Sequence, residues 1–277
     1  MSMTTTGTGG TPAVATPAGR YGMADLVRSE WTKLRTVRST LWTLGMTVFT
    51  GLAASAIAMG VTRAHWASMS ASNKASFHPI EVSLTGGYLG GTLLLGILGI
   101  LVVSSEYATG TIRATLAAAP RRPMVLAAKV LVFGTVTLVV AELVTFAGFL
   151  LGQALLTSPA PHATLSSPTA LRAVAGAGLF LCVVGLLALG IAVLVRHTAG
   201  AISAYVGVIL VLPIIVSAIP GSLQDQIERL LPLEIGSAMI NDPAPAAFGP
   251  WTGFFVLCGY TAVILAVGTV LMVRRDA

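Results

Sequence analysis

SSEYATGTIRATLAAAPRRPMVLAAK, residues Ser104 to Lys129, is the stretch that decides the fold of this chain. It lies between two long apolar runs, Leu84–Val103 and Val130–Leu156. Its basic residues mark its side of a bilayer as cytoplasmic, because cytoplasmic loops of membrane proteins carry an excess of Lys and Arg. Gly110 and Pro120 punctuate short helical pieces, which predicts a loop shaped to dock against another protein.

The composition is that of a membrane protein. Of the 277 residues, 55% are hydrophobic and 9% are charged, whereas a soluble domain carries about 25% charged residues. The net charge is +6, but the basic residues lie in connections between apolar runs and are interpreted as topology signals. The sequence therefore predicts a lipid bilayer as surroundings and no nucleic acid partner.

Six apolar runs are long enough to cross a bilayer, which takes about 20 residues. They are predicted at residues 41–61, 84–103, 130–156, 173–195, 199–219 and 251–273. With six spans both chain ends lie on one side, and that side receives 12 of the 16 Lys and Arg residues. The sequence predicts an all-α membrane protein of six transmembrane helices with both termini cytoplasmic.

The segment before the first span has two parts. Residues 1–20 are low in complexity and are predicted to form a disordered tail, leaving 21–277 as one transmembrane domain. Tyr21–Thr40 predicts an amphipathic helix in the headgroup layer, because apolar residues recur on one face. Glu30 falls inside that apolar face. Two interpretations stay open: local pairing with Lys33, or contact with a partner or another helix.

The third span carries Glu142, the only acidic residue well inside any predicted span. Thr145 and Gln153 lie on the same side of the predicted helix. A charge inside the membrane usually faces the protein interior or a wet cavity. These three residues are therefore either a substrate or conformational pathway, or Glu142 is a structural glutamate, protonated or hydrogen-bonded, at a helix interface.

Two further patterns concern packing. The second span is rich in glycine, and small residues four apart, such as Gly86 and Gly90, allow helices to approach closely in lipid, within a bundle or between subunits.

The segment 220–250 is too long for a turn, and its apolar residues follow helical spacing interrupted by prolines. It predicts short helices on, or dipping into, the outer leaflet.

Motifs that carry chemistry are missing from the sequence. It has no GxxxxGK[ST] phosphate loop, no HExxH and no GxSxG, and its four histidines are scattered without metal-ligand spacing. We therefore expect no catalytic, cofactor or metal site in this chain. If ATP drives its activity, another chain supplies that energy.

The order of short motifs resembles the permeases of the type 2 exporter family of ABC transporters. After the second span these permeases show Glu, Gly-Thr, Leu, Pro, basic residues and Lys. The matching residues are Glu106, Gly110, Thr111, Leu116, Pro120, Arg121, Arg122 and Lys129. SEWTKLRTVRST (Ser29–Thr40) resembles the N-terminal elbow helix of actinobacterial-style members, and LMVRRDA (Leu271–Ala277) resembles their close after the sixth span.

The resemblance implies a permease of the bacterial cytoplasmic membrane that pairs with a second copy or a homologue. It also implies separate ABC ATPase subunits, which bind the ATP and dock on the stretch after the second span with help from the elbow helix. The implied coupling residues are Glu106, Gly110, Thr111, Arg113, Pro120, Arg121, Arg122 and Lys129. The implied elbow residues are Glu30, Trp31, Lys33 and Arg35.

Two other functions remain open at the level of sequence. A secondary transporter driven by ions or protons would use Glu142 as its coupling carboxylate. A membrane scaffold or immunity-type protein would bind partners without transport. The sequence does not indicate a transported substrate, because the predicted pathway has no distinctive recognition chemistry.

Overall fold

A computed structural model describes residues 22–118, 121–156, 160–241 and 249–275, and these residues form helices and connections without a strand. The helices are α1 (Met23–Thr36), α2 (Arg38–His65), α3 (Ala71–Ala75), α4 (Pro79–Ala108), α5 (Thr111–Ala118), α6 (Arg122–Leu155), α7 (Pro168–Val195), α8 (Thr198–Val206), α9 (Leu212–Ser217), α10 (Ser222–Glu228), α11 (Pro232–Ile240) and α12 (Pro250–Arg275). The predicted all-α fold is confirmed for the described part of the chain. The predicted tail, residues 1–20, lies outside it.

Six helical segments of the described chain are long and apolar enough to cross a membrane, as predicted. They are Arg38–Ser68, Pro79–Ala108, Arg122–Leu155, Pro168–Val195, Thr198–Ser217 and Pro250–Arg274. The fifth is composite, because a π-helical turn at Gly207–Val211 joins α8 to α9. Pro213, the second residue of α9, removes one backbone donor just after this turn.

Several helices begin before the apolar runs that predicted them. α4 begins at Pro79, five residues before the predicted span, and α7 begins at Pro168, also five residues early. Backbone N–H groups in the first turn of a helix have no acceptor within the helix. Proline has no backbone N–H, so it loses no hydrogen bond there. An apolar-run criterion misses these turns because they are partly polar.

The connection between the second and third spans is shorter than the predicted loop Ser104–Lys129. α4 continues to Ala108 and α6 begins at Arg122, so both ends of that stretch are helical. Gly110 has a φ of 73°, a conformation that glycine adopts without a Cβ clash. It turns the chain from α4 into α5, which forms the middle of the connection.

The predicted helix over Tyr21–Thr40 ends earlier than expected. α1 stops at Thr36, and Val37 is extended, with φ −76° and ψ 114°. α2 then begins at Arg38, so residues 38–40 belong to the first span. A helical-wheel pattern does not register one extended residue between two helices, which is why the predicted boundary is wrong.

α7 lies at the centre of the bundle, packed against α4, α6 and α12. Glycines of α4 allow close approach within this bundle. A Cβ added to Gly86 would collide with Ala54 of α2, and one added to Gly99 would collide with the backbone of Gly185 in α7. The glycine pattern of the second span therefore serves packing inside the chain.

The segment after the fifth span forms two short helices, α10 and α11, as its spacing predicted. Pro232 begins α11 instead of breaking a helix. α11 is buried along Ile235, Met239 and Ile240, and the Tyr88 hydroxyl of α4 donates a 2.6 Å hydrogen bond to the Leu233 carbonyl. This helix is thus part of the bundle.

Candidate functional site

Four charged side chains from three helices meet at one end of the bundle. Lys33 Nζ lies 2.6 Å from Glu30 Oε1 and 2.7 Å from Glu106 Oε1. Lys129 Nζ lies 2.7 Å from Glu30 Oε2 and 3.0 Å from Glu106 Oε1. Each acid contacts both bases, so the four residues form a closed cycle with no net charge, called here the charge cluster.

Burial makes the charge cluster interdependent. Only 4% of the Lys129 side chain and 5% of the Glu30 side chain are exposed. Taking such ions out of water is costly unless each has a partner, so removal of one charge leaves another unpaired. Lys129 also donates to the Val102 carbonyl at 3.4 Å, which accounts for its third N–H.

Lys33 is the most hydrated member of the cluster, with 36% of its side chain exposed. Burial disfavours its ammonium form, but the hydrogen bonds that it donates to Glu106 and Glu30 outweigh this effect and raise the pKa of Lys33. Lys33 therefore stays charged through the physiological pH range.

Local sequence explains how these residues come together. Leu26, Glu30 and Leu34 occur four residues apart, so they share the buried face of α1. Leu26 packs on Val125 and Ala128 of α6. This contact places the Glu30 carboxylate beside Lys129, one residue further along α6. Both interpretations of Glu30, pairing with Lys33 and contact with another helix, are therefore true.

The predicted coupling residues separate into a buried group and an outer group. Glu106 lies near the end of α4 and Lys129 in the second turn of α6, and both are buried. Gly110, Thr111 and Arg121 are exposed. Pro120 and the side chain of Arg113 lie outside the described residues.

Arg122 links α6 to the last helix. Its Nη1 donates to the carbonyls of Met272 and Val273 near the end of α12, at 3.2 and 3.1 Å. A cation suits this position, because the carbonyls at a helix C-terminus carry partial negative charge. Arg122 thus bonds to another helix of the chain, whereas the Arg121 side chain makes no hydrogen bond to any described residue.

Arg196 makes a second link to α12, which the sequence did not indicate. It follows α7 with a φ of 60°, donates to the Leu271 carbonyl at 3.3 Å, and lies 5.3 Å from the ring centroid of Tyr107 in α4. The ends of α4, α6, α7 and α12 are therefore tied together beside the charge cluster.

A cavity of about 430 Å³ lies against the charge cluster. All four charged residues line it, together with residues from the first turn of α2, the last turns of α4, and α5. Most of its wall is apolar. Of the other elbow residues, Trp31 and Arg35 are exposed on α1 and do not line the cavity.

The residues of the predicted pathway do not form one polar path. Gln153 bonds to the Pro79 carbonyl at 3.1 Å and accepts from the Ala163 N–H at 2.8 Å. Thr145 Oγ1 donates to the backbone carbonyl of Glu142 at 3.1 Å. These two side chains thus bond to nearby backbone, and neither bonds to the Glu142 carboxylate.

Glu142 itself lies against α7 at Gly178. A Cβ on Gly178 would meet both carboxylate oxygens of Glu142 at 2.7 Å, so the missing side chain creates the space for the acid. Oε2 of Glu142 is buried and has no hydrogen-bond partner among the described residues. The geometry agrees with a glutamate at a helix interface, and Gly178 is the contact that sequence reasoning missed.

The sequence identifies a transporter family. Residues 23–277 match the sequence profile described as ABC-2 family transporter protein. The chain belongs to this family. No curated protein sequence matches the chain significantly. The match and the six apolar helices identify this ABC-2 family chain as a multi-pass membrane protein and a component of transmembrane transport, a permease.

Family membership gives the site its context. ABC-2 permeases normally work with an ATPase subunit. In this ABC-2 family chain, the exposed connection that contains α5 lies between α4 and α6, the two helices that hold Glu106 and Lys129. A force applied to α5 would thus reach helices that are cross-linked by buried charges.

Proposed function

We propose that the chain is the permease subunit of an ATP-driven exporter in the bacterial cytoplasmic membrane. It pairs with a second permease copy or a homologue, and ATP binds to and is hydrolysed on separate ABC ATPase subunits. The 12 Lys and Arg residues on one side of the six spans support cytoplasmic termini and a cytoplasmic α5. The family match supports the role of a transport component.

The observation that carries the proposal is the construction around α5. The segment from Gly110 to Arg121 is the part that would contact the ATPase, because Gly110, Thr111, Ala114 and Arg121 are exposed. The buried charges behind it join α4 and α6 to α1. Closure of the ATPase pair would move α5, and the joined helices would then move together toward the outward-open state.

Co-purification tests this division of labour. Ala114→Glu and Arg121→Glu place acids on the exposed segment without changing a described contact, so each should release most of the bound ATPase subunit while the permease stays folded. Arg229→Glu, an exposed position that the proposed topology puts on the opposite side, is the matched control. If all three variants held the ATPase subunit equally well, the segment from Gly110 to Arg121 would not be the docking site.

Cysteine labelling tests the sidedness independently. Cysteine at Ser72 should react with an impermeant reagent from outside, and cysteine at Ala114 only after the membrane is opened. Both positions are exposed, so accessibility reports the side of the membrane.

Transport that follows a proton gradient without any ATPase subunit would favour the secondary transporter instead.

A further inference from the structure

The cavity beside the charge cluster lies at the boundary of the membrane-spanning helices. Ser39 and Thr40 line it from the first turn of α2. Leu101, Val102, Ser105 and Glu106 line it from the end of α4. Trp42, in the next turn of α2, is 73% exposed. Exposed Trp at a span end is typical of the headgroup layer, so the cavity lies at the depth of lipid headgroups.

The chemistry of the wall is amphipathic. Leu34, Val37, Leu101 and Val102 supply apolar surface, and the polar residues Ser105 and Thr109 also line the cavity. A volume of about 430 Å³ falls within the range of about 300 to 1,000 Å³ that is typical of ligand pockets. An occupant with one polar end and an apolar body would match this lining.

The charge cluster leaves two hydrogen-bonding positions next to each other. Oε2 of Glu106 is buried and has no partner among the described residues. Lys33 donates to two carboxylate oxygens, and its third N–H has no acceptor in the described chain. Lys33 Nζ lies 2.7 Å from the other oxygen of Glu106. An acceptor and a donor of opposite charge thus adjoin the cavity.

We propose that this cavity binds one phospholipid whose headgroup carries a primary ammonium beside its phosphate. The ammonium donates to Oε2 of Glu106 while Oε1 keeps its two lysines, and the phosphate accepts the third N–H of Lys33. The glycerol and the first methylenes contact Leu34, Val37 and Leu101. The proposal depends on the membrane location of the chain and is independent of the ATPase partner.

Charge balance selects the zwitterionic headgroup. The two acids and two bases of the cluster cancel, so an anionic lipid gains no net attraction from them. A trimethylated ammonium has no N–H to offer the unpartnered oxygen of Glu106. A hydrogen bond to a charged group contributes about 1.5 to 3 kcal/mol, so loss of this donor should weaken binding about tenfold or more.

Lipid exchange into the full-length protein tests the site. Delipidated protein is reconstituted with phosphatidylethanolamine, phosphatidylcholine or phosphatidylglycerol, and retained lipid is counted by native mass spectrometry. One phosphatidylethanolamine should be retained about tenfold more tightly than the other two. Equal retention of all three headgroups would overturn the proposal.

A cavity-filling variant locates the bound lipid. Ser105→Trp fills the cavity without removing a charge, and it should abolish the selective retention. Ala108→Trp, one turn further on at an exposed position of the same helix that does not line the cavity, should retain it. Selective retention that survives Ser105→Trp in folded protein would place the lipid elsewhere and overturn the assignment.

Discussion

Two regions of the molecule bury glutamate in opposite ways. At the end of the bundle, Glu30 and Glu106 share two lysines, and every charge has an opposite charge within 3.0 Å. In the middle of α6, Glu142 lies against Gly178 with one oxygen unpartnered among the described residues. The first arrangement holds three helices by ion pairs, whereas the second needs only a glycine-sized space.

This difference separates two roles for acidic residues in an apolar chain. A charge that is paired across helices fixes their relative positions, and it destabilises the fold when its partner is removed. A single carboxyl group that has only steric complementarity can be protonated or replaced by a neutral group at little cost. Substitutions in the charge cluster and substitutions at Glu142 should therefore differ by several kcal/mol in their effect on the free energy of unfolding.

Removal of Lys129 should have the largest effect. Lys129→Met leaves Glu30 and Glu106 with one partly hydrated lysine, and breaking a buried pair in this way lowers the free energy of unfolding by about 3 to 5 kcal/mol. Unfolding by heat or denaturant in mild detergent measures the loss. Lys33→Met is the matched control and should cost clearly less, because a third of the Lys33 side chain is exposed. Equal losses would mean that burial does not set the strength of the cluster.

The contact between α6 and α7 should show the next largest effect. Gly178→Ala places a methyl group against the Glu142 carboxylate, and overpacking of this kind costs about 1 kcal/mol when the displaced group is the end of a flexible side chain. Adding Glu142→Ala should restore most of the stability, as a double-mutant cycle would measure. Gly134→Ala is the control, because its Cβ meets Leu186 at an ordinary 3.6 Å. A loss that persists in the double variant would assign Gly178 to another contact.

Much of the helical layout could be predicted from the sequence, because apolar runs and proline positions are local properties. Six spans and two helices after the fifth span follow from such patterns. Helix ends were less predictable: the pattern over residues 21–40 did not show the single extended Val37, and polar first turns hid the starts of α4 and α7.

The candidate site was only partly predictable, for a physical reason. Glu30 was recognisable because a charge on an apolar face needs a partner. Its partner Lys129 lies 99 residues away, and Lys33 reaches Glu106 across 73 residues. No local pattern encodes these separations. Lys129 was instead grouped with the coupling residues, because it matches the Lys that closes the family's motif after the second span.

Neutralisation of Glu142 should have a small effect. Glu142→Gln keeps the shape of the side chain in the space beside Gly178, so we expect a change in the free energy of unfolding within about 0.5 kcal/mol. The ATPase subunit should also remain bound, because Glu142 is far along α6 from the exposed segment around α5. A loss as large as that of Lys129→Met would show that Glu142 has an ionic partner and would remove the distinction between the two regions.

The alkaline limb of the stability profile should show the smallest effect, and it isolates the exposed edge of the charge cluster. The pKa of Lys33 is raised in the folded protein, so its ion pairs contribute stability below the ordinary lysine pKa of 10.5. That contribution is lost as the pH rises through the higher folded pKa. Because solvent screens a side chain that is one-third exposed, the loss should be small.

The loss is measured as the difference in melting temperature between the wild-type protein and Lys33→Met, and this difference should narrow above pH 10.5. A difference that stays constant up to the pH at which the protein unfolds would mean that Lys33 stabilises the bundle by packing its methylene chain, leaving Lys129 as the base that holds the two acids together.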